Sequence, residues 1–132
     1  MKKHGILNSS VAKLAADLGH TDRVCISDLG LPVPQGVAKI DLALKLGQPN
    51  FQEVLDVYLD NILVEKVILA EEIKTANPEQ LATLLAKFND QVVVEYVSHE
   101  EFKGLNQAVK AVIRTGENTP YSNIILQSGV II

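Results

Sequence analysis

Cysteine and basic charge are the two scarce features of this 132-residue sequence. Its one cysteine, Cys25, cannot form a disulfide within the chain, and a cysteine-rich metal site is excluded. Because Cys25 lies between Val24 and Ile26, we expect a small buried hydrophobic residue rather than a reactive thiol. The formal net charge of −4 argues against nucleic acid or an anionic membrane as a partner, since both require a basic surface.

Long apolar runs are also missing. No stretch approaches the length of a membrane-spanning helix, and Asn8, Lys13 and Asp17 interrupt the run that a signal peptide would need. Apolar residues nevertheless make up 47% of the sequence, enough for a substantial core in a chain of this length. We therefore expect one soluble domain spanning residues 1–132, located in the cytoplasm.

Helix-like and strand-like patterns alternate along the sequence. Predicted helices cover residues 8–19, 51–62, 78–88 and 98 to about 109. Predicted strands cover residues 23–27, 37–42, 66–70, 92–97, 111–115 and 123–127, and the apolar residues 130–132 end the chain. This alternation predicts an α/β fold, a three-layer domain with a largely parallel sheet of about five to six strands and helices on both faces.

Capping signals mark the ends of these helices. Asn8 or Ser9 suits the start of the first helix, and Gly19 suits a left-handed residue at its end. Asn50 with Glu53 matches a capping box, as does the later SHEE segment. Asn77 precedes a proline, which is typical of the first turn of a helix.

Polar residues gather where the predicted strands end. Asp28 follows the first strand, His99 follows the fourth, and the polar loop 114–123 follows the fifth. Because ligands bind beyond the carboxyl ends of parallel strands, we expect these residues to share one crevice. Each also has a purely structural explanation, since Asp28, Tyr121 and Asn123 suit turns and His99 suits the first turn of a helix.

His20 is predicted at the opposite end of the first strand. The strand between His20 and Asp28 spans about 20 Å, so a second subunit is the expected way to bring the two together. A solvated loop histidine would fit the same position. His20, Asp28 and His99 would supply two histidines and a carboxylate to a metal, but the short-range spacing of such ligands is missing, and we expect no metal.

Common cofactor and hydrolase motifs are absent. No G-x-G-x-x-G follows a strand, and the phosphate-loop, H-E-x-x-H and nucleophile-elbow patterns are missing. The chemistry that remains is acid–base catalysis on a small polar molecule, to which histidine is suited near neutral pH.

Five segments closely resemble one known family: MKKHGILNSSVAKLAADLGHTD, ISDLGLPVP, IDLALKLGQPNF, YVSHEEFK and AVIRTGENTPYSNIILQSGV. They are similar, in register and along almost the whole chain, to the D-ribose pyranases, which are related to the L-fucose mutarotases. The resemblance implies an isomerase that interconverts the pyranose and furanose forms of D-ribose without a cofactor, supplying ribokinase. It also implies a ring of subunits, typically a homodecamer, with active sites between neighbours.

The same resemblance assigns roles to individual residues. His20 of the LGHTD segment is implied as the catalytic acid, and Asp28 of ISDLG as a sugar-binding residue. The other implied sugar contacts are His99, Tyr121, Ser122 and Asn123. Asp28 could act as the general base or only hold a hydroxyl, and the sequence leaves both open.

Three other functions stay open on the residues alone. A non-catalytic sugar-binding accessory protein would need Asp28, Tyr121 and Asn123 but no titrating His20. A mutarotase for another monosaccharide, such as fucose, would keep the acid and change the pocket. A phosphosugar isomerase would need several basic side chains at the strand ends, and Arg114 alone is weak support.

The carboxyl-terminal residues are strongly apolar for a chain end, where fraying is common. Residues 124–126 and 130–132 consist entirely of Ile, Leu and Val. We expect burial partly against the chain's own sheet and partly against another subunit.

Overall fold

One six-stranded sheet organises the molecule, in a computed structural model that describes residues 1–132. The strands are β1 (Arg23–Ser27), β2 (Ala38–Asp41), β3 (Val64–Ala70), β4 (Val93–Val97), β5 (Ala111–Arg114) and β6 (Ile124–Ser128). The helices are α1 (Ser9–Asp17), α2 (Phe51–Asn61), α3 (Ile73–Ala76), α4 (Pro78–Leu85) and α5 (His99–Leu105), which is followed by a 3-10 turn (Asn106–Ala108). The α/β alternation is confirmed, with α3 as an unpredicted addition. None of the helices is long and apolar enough to cross a membrane.

The strand order is β2-β5-β1-β6-β3-β4. β2, β5 and β1 run parallel to one another, as do β3 and β4, whereas β6 pairs antiparallel with both β1 and β3. The largely parallel sheet is therefore confirmed. Its antiparallel central strand is not visible in the sequence, because a strand buried on both faces reads as a continuous apolar run in either direction. Consequently β6 begins at the edge where the other strands end, and ends at the edge where they begin.

Two apolar layers cover the sheet. Ile26 of β1 belongs to one layer, with Leu55 of α2 and Leu84 of α4. Cys25 points into the other layer, where it packs with Phe102 of α5. Full burial of a large apolar side chain contributes roughly 1.5–3 kcal/mol. Helices therefore cover both faces as predicted. Cys25 is fully buried, as expected, and this burial raises the pKa of its thiol.

Two of the predicted helix caps are present as expected, at α1 and α2. The Asn8 side chain accepts a backbone N–H of the first turn of α1 at 3.0 Å, and Asn50 and Glu53 form a reciprocal capping box at α2. Asn77 precedes α4 as predicted, but its side chain does not cap the helix. Its amide instead donates to the carbonyl of Pro120 at 2.9 Å. Asn77 thus ties α4 to the polar loop after β5.

The turn between α1 and β1 differs from the prediction. Gly19 is not left-handed, because α1 already ends at Asp17; Thr21 adopts the left-handed conformation instead, with φ 72°. The backbone N–H of Thr21 donates to the carbonyl of Ser128 at 3.0 Å, and Ser128 donates in turn to the carbonyl of Asp22 at 2.8 Å. These bonds to the end of β6 hold the turn in a conformation that β-branched residues rarely adopt.

The two apolar carboxyl-terminal segments behave differently. Residues 124–126 form the fully buried start of β6, as expected. Residues 130–132 extend beyond the sheet, and Ile131 and Ile132 are fully exposed. Their expected burial is therefore not found within one chain.

Candidate active site

A cavity of about 550 Å³ opens at the sheet edge where β1, β4 and β5 end. Its walls are the turn 28–32, the loop 117–121 and two residues of α5. Asp28, His99 and Tyr121, all predicted site residues, line it together. The volume falls in the range of small-molecule sites, and the position is the one expected for a ligand of an α/β sheet.

The Asp28 carboxylate is fixed by hydrogen bonds. Its Oδ1 accepts the backbone N–H groups of Gly30 at 3.0 Å and Leu31 at 2.9 Å, and its Oδ2 accepts from the Asn123 amide at 3.2 Å. Burial raises the pKa of the Asp28 carboxyl above its ordinary value, although these hydrogen bonds favour the charged form. Asp28 is therefore a rigidly held group that takes up a proton more readily than an ordinary aspartate.

Asn123 and Ser122 are buried next to the cavity and do not line it. Asn123 Oδ1 accepts the backbone N–H of Asp28 at 2.9 Å. The Ser122 hydroxyl accepts from the Gln80 amide at 3.0 Å and bonds to the Thr119 hydroxyl at 2.9 Å. Both residues thus secure the cavity wall, and their contact with a sugar stays a prediction.

His99 and Tyr121 meet edge to face at the cavity. Their ring centroids lie 5.1 Å apart with an interplanar angle of 81°, a favourable aromatic geometry. The backbone N–H of His99 donates to the Glu72 carboxylate at 3.0 and 3.1 Å, whereas its Nδ1 is buried without a hydrogen-bond partner. Tyr121 has φ 56°, which is uncommon outside glycine. Unpaired buried nitrogens and left-handed backbones both concentrate at ligand sites.

Two charged residues of the cavity, Lys103 and Glu117, are not singled out by sequence patterns. Glu117 Oε1 accepts the backbone N–H of Phe51 at 3.0 Å, and Oε2 accepts the Thr119 hydroxyl at 2.8 Å. Burial alone would raise the pKa of Glu117, but these hydrogen bonds hold it below its ordinary value. Glu117 could have been suspected from its position in the polar loop 114–123. Nothing in the sequence distinguishes Lys103 from an ordinary lysine on the surface of a helix.

His20 lies outside this cavity, at the opposite end of β1 from Asp28, as predicted. Its side chain is half-exposed, and its Nε2 lies 2.7 Å from Glu65 Oε1. No three side chains of the types that bind metals cluster anywhere in the chain. His20, Asp28 and His99 therefore do not meet within one copy of the molecule.

The mixed α/β sheet thus has a polar cavity beyond the ends of β1, β4 and β5, and a second histidine, His20, at the opposite end of β1. A model of the RbsD / FucU transport protein family matches residues 1–131, and the chain belongs to this family. The predicted family relationship is thereby confirmed.

Individual relatives cover the chain completely or nearly so. A protein from Streptococcus agalactiae serotype III named D-ribose pyranase is 76% identical over all of both chains. The structure of Bacillus subtilis RbsD complexed with D-ribose is 58% identical, covers all of both chains and has a TM-score of 0.94. A fucose mutarotase from Streptococcus pneumoniae, solved with L-fucose, is 20% identical over 99% of this chain and all of its own, with a TM-score of 0.78. That last likeness speaks for the fold alone.

Proposed function

We infer that this chain is an enzyme that interconverts the pyranose and furanose forms of D-ribose. The observation that carries this conclusion is the full-length likeness to proteins named D-ribose pyranase, of which two are 74% and 76% identical. The close likeness to a structure solved with D-ribose, and a polar cavity of suitable size, agree with it. The names of these full-length relatives favour ribose over fucose as the substrate.

The interconversion needs only proton transfers, because both ring forms are cyclic hemiacetals connected through the open-chain aldehyde. On opening, the bond between the anomeric carbon and the ring oxygen breaks, and the ring oxygen gains a proton. The anomeric hydroxyl loses a proton as its electron pair forms the carbonyl. On reclosure a different sugar hydroxyl adds to this carbonyl carbon and loses its proton, while the carbonyl oxygen gains one. A positioned acid and a positioned base are sufficient.

We propose that the general base lies in the cavity at the strand ends. Asp28 would accept the proton of the anomeric hydroxyl, because its burial raises its pKa and its hydrogen bonds fix its direction. His99 and Tyr121, which line the cavity, would bind sugar hydroxyls. Asn123 would orient Asp28 through its hydrogen bonds. Ser122 would hold the loop that carries Tyr121.

The acid would come from His20 of a neighbouring copy, because His20 cannot reach the cavity of its own chain. Apolar side chains surround His20 on the surface, among them Leu63 and Ile131, both exposed. Exposed apolar surface of this kind favours contact with another protein surface. We therefore propose that the chains assemble into a ring, a homodecamer like those of the D-ribose pyranases. We further propose that this assembly acts in the cytoplasm.

Magnetisation-exchange NMR on equilibrated D-ribose tests the proposed function. We expect the protein to accelerate exchange between ribopyranose and ribofuranose signals without added metal, phosphate or nucleotide. Exchange that stays at the uncatalysed rate while ribose still binds would contradict the enzyme and indicate a sugar-binding accessory protein. L-Fucose serves as the comparison substrate, for which we expect little or no acceleration.

A further inference from the structure

Strand β3 contains a β-bulge near His20. Val64 pairs with Ser128 and Lys66 pairs with Gln127, so two steps along β3 match one step along β6. Glu65 is therefore an extra residue in β3. Such bulges redirect a side chain that would otherwise alternate to the other face, and they are frequent beside active sites.

The redirected carboxylate of Glu65 bridges two side chains. Its Oε1 lies 2.7 Å from His20 Nε2, and its Oε2 accepts from the Gln127 amide at 2.7 Å. Gln127 Oε1 accepts in turn from Arg23 Nε at 3.0 Å. A hydrogen-bond network therefore crosses three adjacent strands and ends on the His20 imidazole, in the order Arg23, Gln127, Glu65 and His20. Gln127 therefore holds the Glu65 carboxylate in position. Functional histidines are commonly oriented by carboxylates that are themselves hydrogen-bonded in this way.

This bond also determines which imidazole nitrogen is free. Hydrogen bonds from Gln127 and His20 hold the pKa of Glu65 below its ordinary value, so the carboxylate is ionised and can only accept. His20 must therefore donate from Nε2. Its Nδ1 makes no hydrogen bond within the chain, and it can carry a proton only when the ring is protonated on both nitrogens.

We propose that Glu65 is a positioning residue for the acid His20, holding a proton on Nε2 so that Nδ1 exchanges protons with the sugar. The inference rests on the proposed function, in which His20 of one copy serves the cavity of another. On ring opening the Nδ1–H proton passes to the ring oxygen as the bond to the anomeric carbon breaks. His20 is then neutral, with its remaining proton on Nε2 directed at Glu65. On reclosure Nδ1 takes the proton of the attacking hydroxyl.

The test combines turnover with a direct readout of the His20 tautomer. Glu65→Ala removes the acceptor, whereas Glu65→Gln keeps an acceptor oxygen without the charge. The matched control is Glu95→Gln, another partly exposed strand carboxylate, which pairs with Lys66 and not with His20. Ribose exchange at several concentrations separates kcat from KM, and nitrogen chemical shifts of the imidazole report the tautomer.

We expect Glu65→Ala to lower kcat by about 10- to 100-fold with little change in KM, as when outer partners of functional histidines are removed. Its neutral His20 should become a mixture of both tautomers, whereas wild type and Glu95→Gln carry the proton on Nε2. Glu65→Gln should retain that tautomer and part of the turnover.

Turnover of Glu65→Ala equal to that of Glu95→Gln, or an unchanged tautomer, would overturn the inference. Failure of the proposed function would give a different set of results. If wild type does not catalyse exchange, or if His20→Ala is fully active, the catalytic role of His20 is wrong even where the tautomer responds to Glu65.

Discussion

The carboxamide of Asn123 binds Asp28 at two points, accepting its backbone N–H at 2.9 Å and donating to its carboxylate at 3.2 Å. The two residues are separated by 95 positions in sequence and meet because the antiparallel strand β6 begins beside the end of β1. A single buried amide therefore fixes both the backbone and the side chain of the proposed base. The orientation of Asp28 in the cavity depends on this contact.

Asn123→Ala should weaken ribose binding because it releases Asp28. Hydrogen bonds to charged groups contribute about 1.5–3 kcal/mol, which corresponds to roughly a 10- to 100-fold increase in Kd. Calorimetric titration with D-ribose measures this change. The control is Asn89→Ala, at an exposed site where the side chain accepts only the N–H of Gln91. Equal affinity of both variants would show that the Asn123–Asp28 contact does not organise the site.

Glu117→Gln should destabilise the fold, because a buried carboxylate that accepts from Phe51 and Thr119 is replaced by a group that presents a donor to one of them. We expect a loss of about 1–3 kcal/mol in the free energy of unfolding at neutral pH. The pKa of Glu117 is lowered in the folded state, so its contribution is complete above the ordinary carboxyl pKa and disappears as pH falls through the lowered value.

Urea unfolding at several pH values, at constant protein concentration, follows this difference. The gap between wild type and Glu117→Gln should narrow toward acid pH. Glu79→Gln, at an exposed position of α4, should change stability by only a few tenths of a kcal/mol at any pH. A gap that widens as the pH falls would mean that the Glu117 carboxylate is not stabilised by its neighbours.

Gly116 lies in the polar loop after β5 and packs against the backbone of the segment before α2. A Cβ at Gly116 would lie 2.5 Å from backbone atoms of Gln48, which cannot move without shifting the chain. Gly116→Ala should therefore cost about 1–3 kcal/mol of stability, as overpacking does. Gly104 lies in α5 with nothing near its Cβ position, so Gly104→Ala should stabilise by about 0.4–1 kcal/mol. Thermal unfolding of both variants checks these opposite signs.

The sequence pattern predicts the fold class because its signals are local. Apolar periodicity and caps such as Asn50 with Glu53 depend on neighbours within a few positions, and the structure confirms them. The direction of β6 and the strand order depend on pairing between distant segments, on which the periodicity of an apolar strand has no bearing. For the same reason the left-handed residue before β1 is Thr21 rather than Gly19: bonds from the end of β6 determine it.

The candidate site was predictable to a similar degree. Asp28 stands directly after β1 and His99 two residues after β4, so the rule for parallel sheets brings them to one edge. Glu65 could not be found in this way, because its side chain faces His20 only through a bulge that depends on the register of β3 against β6. Lys103 and Glu117 were missed for a related reason, since their inward position depends on how α5 and the loop after β5 pack.

The central claim is that one active site joins His20 of one copy to Asp28 of another. His20→Ala should lower turnover by about 10²–10⁴-fold, the usual contribution of a general acid, and Asp28→Ala should be inactive through loss of the proposed base. The most direct measurement is ribose exchange by NMR after these two inactive proteins have exchanged subunits, with mixing verified by mass-labelled chains. If the site is shared, some interfaces pair an intact His20 with an intact Asp28, and part of the activity returns. If mixed assemblies stay as inactive as the separate variants, the shared site is contradicted.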